Sequence, residues 1–311
     1  MIQNGATPAA KKAAQERRID LAKIAGTGIG GYIQLSDVMR YKGVRATPLA
    51  GSVAAYYKID LASVAGTGDK ITKADVLRHE GRRSSNIIPV KGMRAVIAKR
   101  MQESLRNAPQ YTNNGTVCVY ALKDFLKSFT EKCVARTGVK PTYSDLFIKA
   151  AAMALRDNMM MNSSFRDTYI EIHESINVGL AVALDDGLIV PNIKNADQKT
   201  LETITLERKA LVDKARAGRL LPEDYTGGTF TISNMGQYPV DNFTPIINLP
   251  EAAILGIGTI TDQVVPVDGN IGIRPIMGYS VTSDHRHIDG AVSGKFMKRW
   301  KEILENPTCM E

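Results

Sequence analysis

Cysteine is scarce in this 311-residue chain: Cys118, Cys133 and Cys309 lie far apart, with no Cys-x-x-Cys pair. That excludes a disulfide framework and fits free thiols in a reducing, cytoplasmic setting. Histidine is almost as rare, with His79, His173, His285 and His287 the full set of four. If an imidazole does chemistry here, few positions compete for the role. Aromatic residues make up 6% of the chain, and no nucleic-acid-binding motif is present, which weakens a nucleic-acid reading. No run approaches the ~18 consecutive apolar residues that argue a membrane span. Residues 1–12 lack the apolar stretch of a secretory signal. A Gly-x-Ser-x-Gly elbow is also missing, which disfavours a serine-nucleophile hydrolase.

Hydrophobic residues reach 44%, enough for a sizeable core, and the length suits about two domains. The net charge of +8 is unevenly spread. Residues 1–83 carry 14 Lys plus Arg against 7 Asp plus Glu, so the basic character belongs to the N-terminal part. Such a surface suits docking on an acidic protein partner.

That part contains a repeat. Ala6-Thr-Pro, Asp20 and Gly28 recur as Ala46-Thr-Pro, Asp60 and Gly68. Asp37 recurs as Asp75 after a shorter loop. Each copy reads as a helix opened by Thr-Pro, a turn capped by Asp, a Gly-rich loop and a second helix. Gly26-Thr-Gly28-Ile-Gly-Gly31 formally matches a dinucleotide fingerprint, but it follows a helix rather than a strand, so a tight inter-helix loop is the better reading.

The remainder reads as one mixed α/β domain. Helices are expected over 92–105, 122–136, 143–158, 201–217 and 291–304, and strands over 111–120, 177–184, 187–193, 229–233, 253–260 and 272–282. Met93, Val96, Ile97, Met101 and Leu105 form an apolar stripe at helical spacing.

Two places carry candidate chemistry. His285-x-x-x-Asp289-Gly290 falls where an apolar strand gives way to a helix. Such a turn can orient an imidazole and leave it accessible, as a general base requires. The same pattern also fits a plain surface turn. A two-histidine metal site from His285 and His287 is disfavoured, because no third ligand lies near in sequence. Thr229-Phe-Thr-Ile-Ser233-Asn234 places a hydroxyl at a strand end, where it could donate to an oxyanion or merely form a turn.

Together with three further pieces, Ala98-Lys-Arg-Met101, Gly187-Leu-Ile-Val-Pro191 and Thr244-Pro-Ile-Ile-Asn248, these motifs resemble the dihydrolipoamide acyltransferase component of the 2-oxoacid dehydrogenase complexes. The resemblance implies an α/β (α+β) fold: a chloramphenicol-acetyltransferase-like two-layer sandwich with a mixed sheet, preceded by two small helical subunit-binding modules. Residues 6–43 would be a peripheral subunit-binding domain, 46–81 a second, degenerate one, 82–87 a linker and 88–311 the catalytic domain. It implies acyl transfer, acetyl by default, between dihydrolipoamide and coenzyme A, without a metal. His285 would be the general base and Ser233 the oxyanion donor. Asp289 would support the histidine loop, by ion pairing. Arg100 and Asn234 would bind substrate. Lys11, Lys12, Arg17 and Arg18 would bind the dehydrogenase and dihydrolipoamide dehydrogenase components. Ser233 and His285 are expected to meet between subunits of a homotrimer, which could assemble into a larger core.

The chain also departs from the family pattern. It begins directly with the binding module, so the lipoyl group is expected from another polypeptide. Gly51 and Ser52 stand in the second copy where Lys11 and Lys12 stand in the first, so the first copy is expected to keep charge-driven partner binding and the second to have lost most of it. The short C-terminal segment favours a free trimer over a larger core. Two other functions fit part of the pattern: a non-catalytic scaffold of the same complex, and a stand-alone small-molecule acetyltransferase.

Overall fold

The computed structural model describes residues 5–16, 19–41, 43–83, 88–184 and 187–311. The chain forms two compact units, Met1–Pro89 and Val90–Glu311. The first contains both copies of the repeat. In copy one, α1 (Pro8–Glu16) and α2 (Leu35–Arg40) flank an Asp20-capped turn at Leu21–Lys23. In copy two, α3 (Pro48–Tyr56) and α4 (Lys73–Arg83) flank an Asp60-capped turn at Leu61–Ser63. Each copy closes with one parallel bridge, Ala6 to Ile33 and Ala46 to Ile71, over its own small core. The recurring Asp explains the loop. Asp37 accepts from the Thr27 and Gln34 backbone and from the Thr27 hydroxyl. Asp75 does the same with Thr72 and Thr67, and the Thr72 backbone bond heads the causes that hold its carboxyl down at about 2. Helix α4 continues to Arg83, inside the segment read as a linker; residues 84–87 lie outside the described ones.

The second unit opens with α5 (Gly92–Asn107), then β1 (Gln110–Cys118), α6 (Tyr120–Thr137) and α7 (Tyr143–Asp157). A hairpin of β2 (Ser163–Arg166) and β3 (Tyr169–Ile172) follows, which the sequence pattern did not announce. The run expected as one strand over 177–184 is two, β4 (Val178–Leu180) and β5 (Val182–Leu184), divided at Ala181. The next is likewise split into β6 (Gly187–Ile189) and β7 (Asn192–Ile193), because Pro191 between them has no N–H for a ladder. The expected turn residues Asp185 and Asp186 lie outside the described ones. Helices α8 (Leu201–Arg216) and α9 (Pro222–Tyr225) lead to β8 (Phe230–Asn234), β9 (Ala253–Val267), β10 (Asn270–Asp284) and α10 (Gly290–Glu305).

Six strands form one mixed sheet in the order β1-β10-β9-β8-β4-β7, with β8 parallel to both neighbours. Helices α6, α7 and α10 pack on it. Phe147, Phe230, Phe296 and Trp300 are fully buried between the layers, each aromatic ring removing a large apolar area from water. The loop after β8 lies directly on the sheet. The Asp241 carbonyl occupies the space a Cβ would take at Gly258 and Gly278, 2.0 and 2.1 Å away, so only glycine fits there. The apolar stripe of α5 is covered only in part. Met93 and Ile97 pack over Gly187, while Val96 and Leu105 remain 56% and 58% exposed in the single chain.

Buried among these elements, Glu251 has one carboxylate oxygen bonded to the Asn248 amide at 2.8 Å. The Thr231 hydroxyl faces it without a hydrogen bond of good geometry. Burial is the dominant cause that pushes its pKa from 4.5 up to about 7. The folded state therefore holds this proton more tightly than the unfolded chain, and the group opposes folding progressively as pH rises from 4.5 to 7. At 1.36 kcal/mol per unit the opposition reaches about 3 kcal/mol above pH 7. Glu251→Gln is expected to remove this fall, so the gap in melting temperature between variant and wild type should widen from pH 5 to pH 8. Parallel pH profiles for the two proteins would sink the assignment.

Candidate active site

The turn carrying His285 is built from backbone and charge. Strand β1 pairs with β10 from Gln110 opposite Asp284 onward, and the His285 N–H continues the ladder to the Pro109 carbonyl at 2.9 Å. Asp284 is buried, and Arg286 reaches back to it. The Arg286 Nε lies 3.0 and 3.1 Å from the two carboxylate oxygens and Nη2 lies 2.6 Å from Oδ2. The Arg286 backbone N–H donates to the same carboxylate at 3.1 Å. Bidentate pairing of this kind fixes geometry as well as charge. The Arg286 guanidinium also stacks over Phe165, 4.2 Å from the ring centroid. His285 itself is exposed, with its ring against Tyr111 at 4.3 Å between centroids.

His287 faces a different environment. Its ring is buried, with Nε2 3.1 Å from the Ser163 hydroxyl, and desolvation lowers its pKa. Asp289 is exposed and caps α10, accepting from Ala291 and Val292 N–H at 3.1 Å each. The ion pair expected of it is not among those of the described residues; the charged support of the turn is Asp284 with Arg286.

Ser233 lies elsewhere, on the wall of a 680 Å³ cavity that also includes Ser144, Asn234 and Met277. It forms no hydrogen bond to a side chain among the described residues. Asn234 is held between two partners: its amide donates to Ser144 Oγ at 3.3 Å and its carbonyl accepts from Gly236 N–H at 2.9 Å. Ser144 is fixed because α7 is capped by Asp145, which receives the Thr142 N–H at 2.7 Å. Asp145 is fully buried and takes the Arg208 fork at 2.7 and 2.9 Å. Arg100 stands exposed on α5 and is not part of the cavity wall. Lys11 and Lys12 are exposed on α1, while Arg17 and Arg18 lie outside the described residues.

One chain does not bring Ser233 and His285 together. Ser233 is level with Gly256, and Gly256 with Ser280. His285 is five residues beyond Ser280, roughly 16 Å along the strand, and two strand spacings add about 10 Å across the sheet. The two side chains are thus on the order of 15–20 Å apart within a subunit. The sequence pattern singled out both residues as candidates but did not single out Tyr111, Asp284 or Arg286, which pack around His285. The Asp-x-Arg spacing was a usable signal for the last two.

Known proteins resemble this chain in sequence and fold. Residues 82–311 match the family model of the 2-oxoacid dehydrogenases acyltransferase (catalytic domain), and residues 5–39 match that of the e3 binding domain. A dihydrolipoyllysine-residue acetyltransferase component of the pyruvate dehydrogenase complex from Rickettsia bellii is 34% identical over 98% of this chain and 67% of its own length. Component 3 of the mitochondrial complex of Arabidopsis thaliana is 35% identical over 98% of this chain and 54% of its own. The chain thus spans between about half and two thirds of these curated relatives. Among solved structures, a probable dihydrolipoamide acetyltransferase from Listeria monocytogenes superposes with a TM-score of 0.69 at 35% identity, over 72% of this chain and 96% of that one. The cubic core of a pyruvate dehydrogenase multienzyme complex gives 0.69 at 32%, over 72% and 93%. With the catalytic unit matched by sequence and by fold, this chain belongs to the 2-oxoacid dehydrogenase acyltransferase family.

Proposed function

We propose that the protein transfers an acetyl group between a dihydrolipoyl thiol and coenzyme A, with each active site shared by two subunits of a trimer. The observation that carries this is the separation of an exposed, backbone-fixed His285 from an unbonded Ser233 on a cavity wall. One subunit holds both parts of an acyl-transfer site but cannot use them together. In the thiol-to-thioester direction, His285 takes the proton from the coenzyme A thiol. The thiolate attacks the acyl carbonyl of the S-acyl dihydrolipoyl group. The Ser233 hydroxyl of a neighbouring subunit donates to the tetrahedral oxyanion. Collapse expels the dihydrolipoyl thiolate, which recovers the proton from the imidazolium. Asn234, pinned by Ser144 and Gly236, shapes the cavity beside Ser233.

Acetyl is supported by the names of three such relatives, each an acetyltransferase component. The exposed lysines of α1 support docking of the dehydrogenase components of such a complex on the first module. Turnover with acetyl-CoA and free dihydrolipoamide is the test. Transfer to dihydrolipoamide and not to an antibiotic hydroxyl supports the proposal. Intact trimers without transfer would instead favour a non-catalytic scaffold.

A further inference from the structure

Fixing a histidine's backbone does not fix its ring. The outer torsion of the side chain is broad and roughly two-fold, so the imidazole plane can still swing. At His285 the backbone is anchored on Pro109 and the following turn is clamped to Asp284. The aromatic partner of its ring is Tyr111, with centroids 4.3 Å apart and planes inclined by 41°. Tyr111 is itself set by the sheet, opposite Ser283, two residues before the base. Its hydroxyl is buried near Ser283 and Ser293 without a hydrogen bond of good geometry. Burial, with the nearby Asp289 charge in the same sense, raises the phenol's pKa, so the group stays neutral. The two rings are in contact at a tilt of 41°, and the tyrosine hydroxyl is buried in protein.

We propose that Tyr111 is a positioning residue for acyl transfer: its ring face holds the His285 imidazole in the plane that meets the thiol proton. The proposal rests on His285 being the base. Orientation matters here because small misplacements of a reacting group cost rate steeply. A neutral aromatic face restricts the ring without competing for either ring nitrogen.

The test uses Tyr111→Phe and Tyr111→Leu in the full chain. The Phe variant keeps the ring and is expected to turn over like the wild type. The Leu variant removes it and is expected to lose roughly 10²-fold in kcat, with KM for coenzyme A and dihydrolipoamide unchanged and the trimer intact by sedimentation. A Leu variant with wild-type kcat overturns the proposal, as does a Phe variant as slow as Leu, or a loss confined to KM. A second readout does not depend on turnover or on the Leu variant assembling. The His285 ring C–H resonance, assigned by its disappearance in His285→Ala, is expected upfield in the wild type and Phe variant because it lies over the tyrosine face. An unshifted wild-type resonance overturns the stacking directly. An inactive wild type with a shifted resonance would instead refute the acyl-transfer proposal and leave the stacking standing.

Discussion

His285→Ala is expected to lower acyl transfer by ~10²–10⁴, and Ser233→Ala by ~10²–10³, both without loss of fold, since His285 is exposed and Ser233 lines a cavity. The sharper result comes from mixing them. The strand register keeps the two residues on the order of 15–20 Å apart in one subunit, so on the proposed mechanism each site draws one from each of two neighbours. Co-assembled trimers of the two variants therefore contain some sites with both residues intact. In a cyclic trimer assembled at random, about a quarter of the sites are of this kind, and activity should return to about that share. Mixed trimers as inactive as their parents would place both residues in one subunit and overturn the shared site.

Arg208→Met is expected to cost about 3–5 kcal/mol in stability, the usual penalty for stranding one partner of a buried ion pair. Asp145 is fully buried and uses both oxygens on the Arg208 fork. With the guanidinium gone, the carboxylate stays in the interior because it also accepts from Thr142 at the start of α7. Arg208→Lys should recover only part of the loss, since an ammonium cannot repeat the two parallel bonds. The damage should also reach the cavity, where the first turn of α7 presents Ser144 to Asn234. Chemical unfolding of the three proteins measures the effect. A cost below 1 kcal/mol for the methionine variant would mean that water reaches Asp145 and that the pair is not truly buried.

Much of this architecture was legible in the chain. The repeat showed itself through Thr-Pro, Asp and Gly at matching places, because caps and tight loops need those residue types wherever the unit recurs. The central strands were legible because they are buried on both faces and read as apolar runs. Their ends were not. Strands β9 and β10 run on past the apolar run to a hairpin at Asp268-Gly269, both at positive φ, a turn whose Asp-Gly signal went unread. The β2–β3 hairpin escaped notice because it turns through Asp167 at φ 45 with no glycine to mark it. The stripe on α5 correctly marked a helix but not a buried one, since periodicity shows which face is apolar and not what covers it. His285 and Ser233 stood out as candidates because both lie where a strand gives way to a turn. Tyr111 was not, because its role exists only once strands far apart in sequence lie side by side. Asp289 was read as an ion-pair partner, yet its position before a helix already favoured a cap.

Strand β1 has a single neighbour in the sheet, β10, and the two are separated by the greater part of the catalytic unit. During synthesis β1 emerges roughly 150 residues ahead of that neighbour, a wait of about eight to thirty seconds at ordinary elongation rates. For that interval its backbone groups have no ladder to join, and the Pro109 carbonyl that anchors the histidine has nothing to hold. The turn carrying His285 therefore takes shape only after the segment that carries it has been made, well after β1.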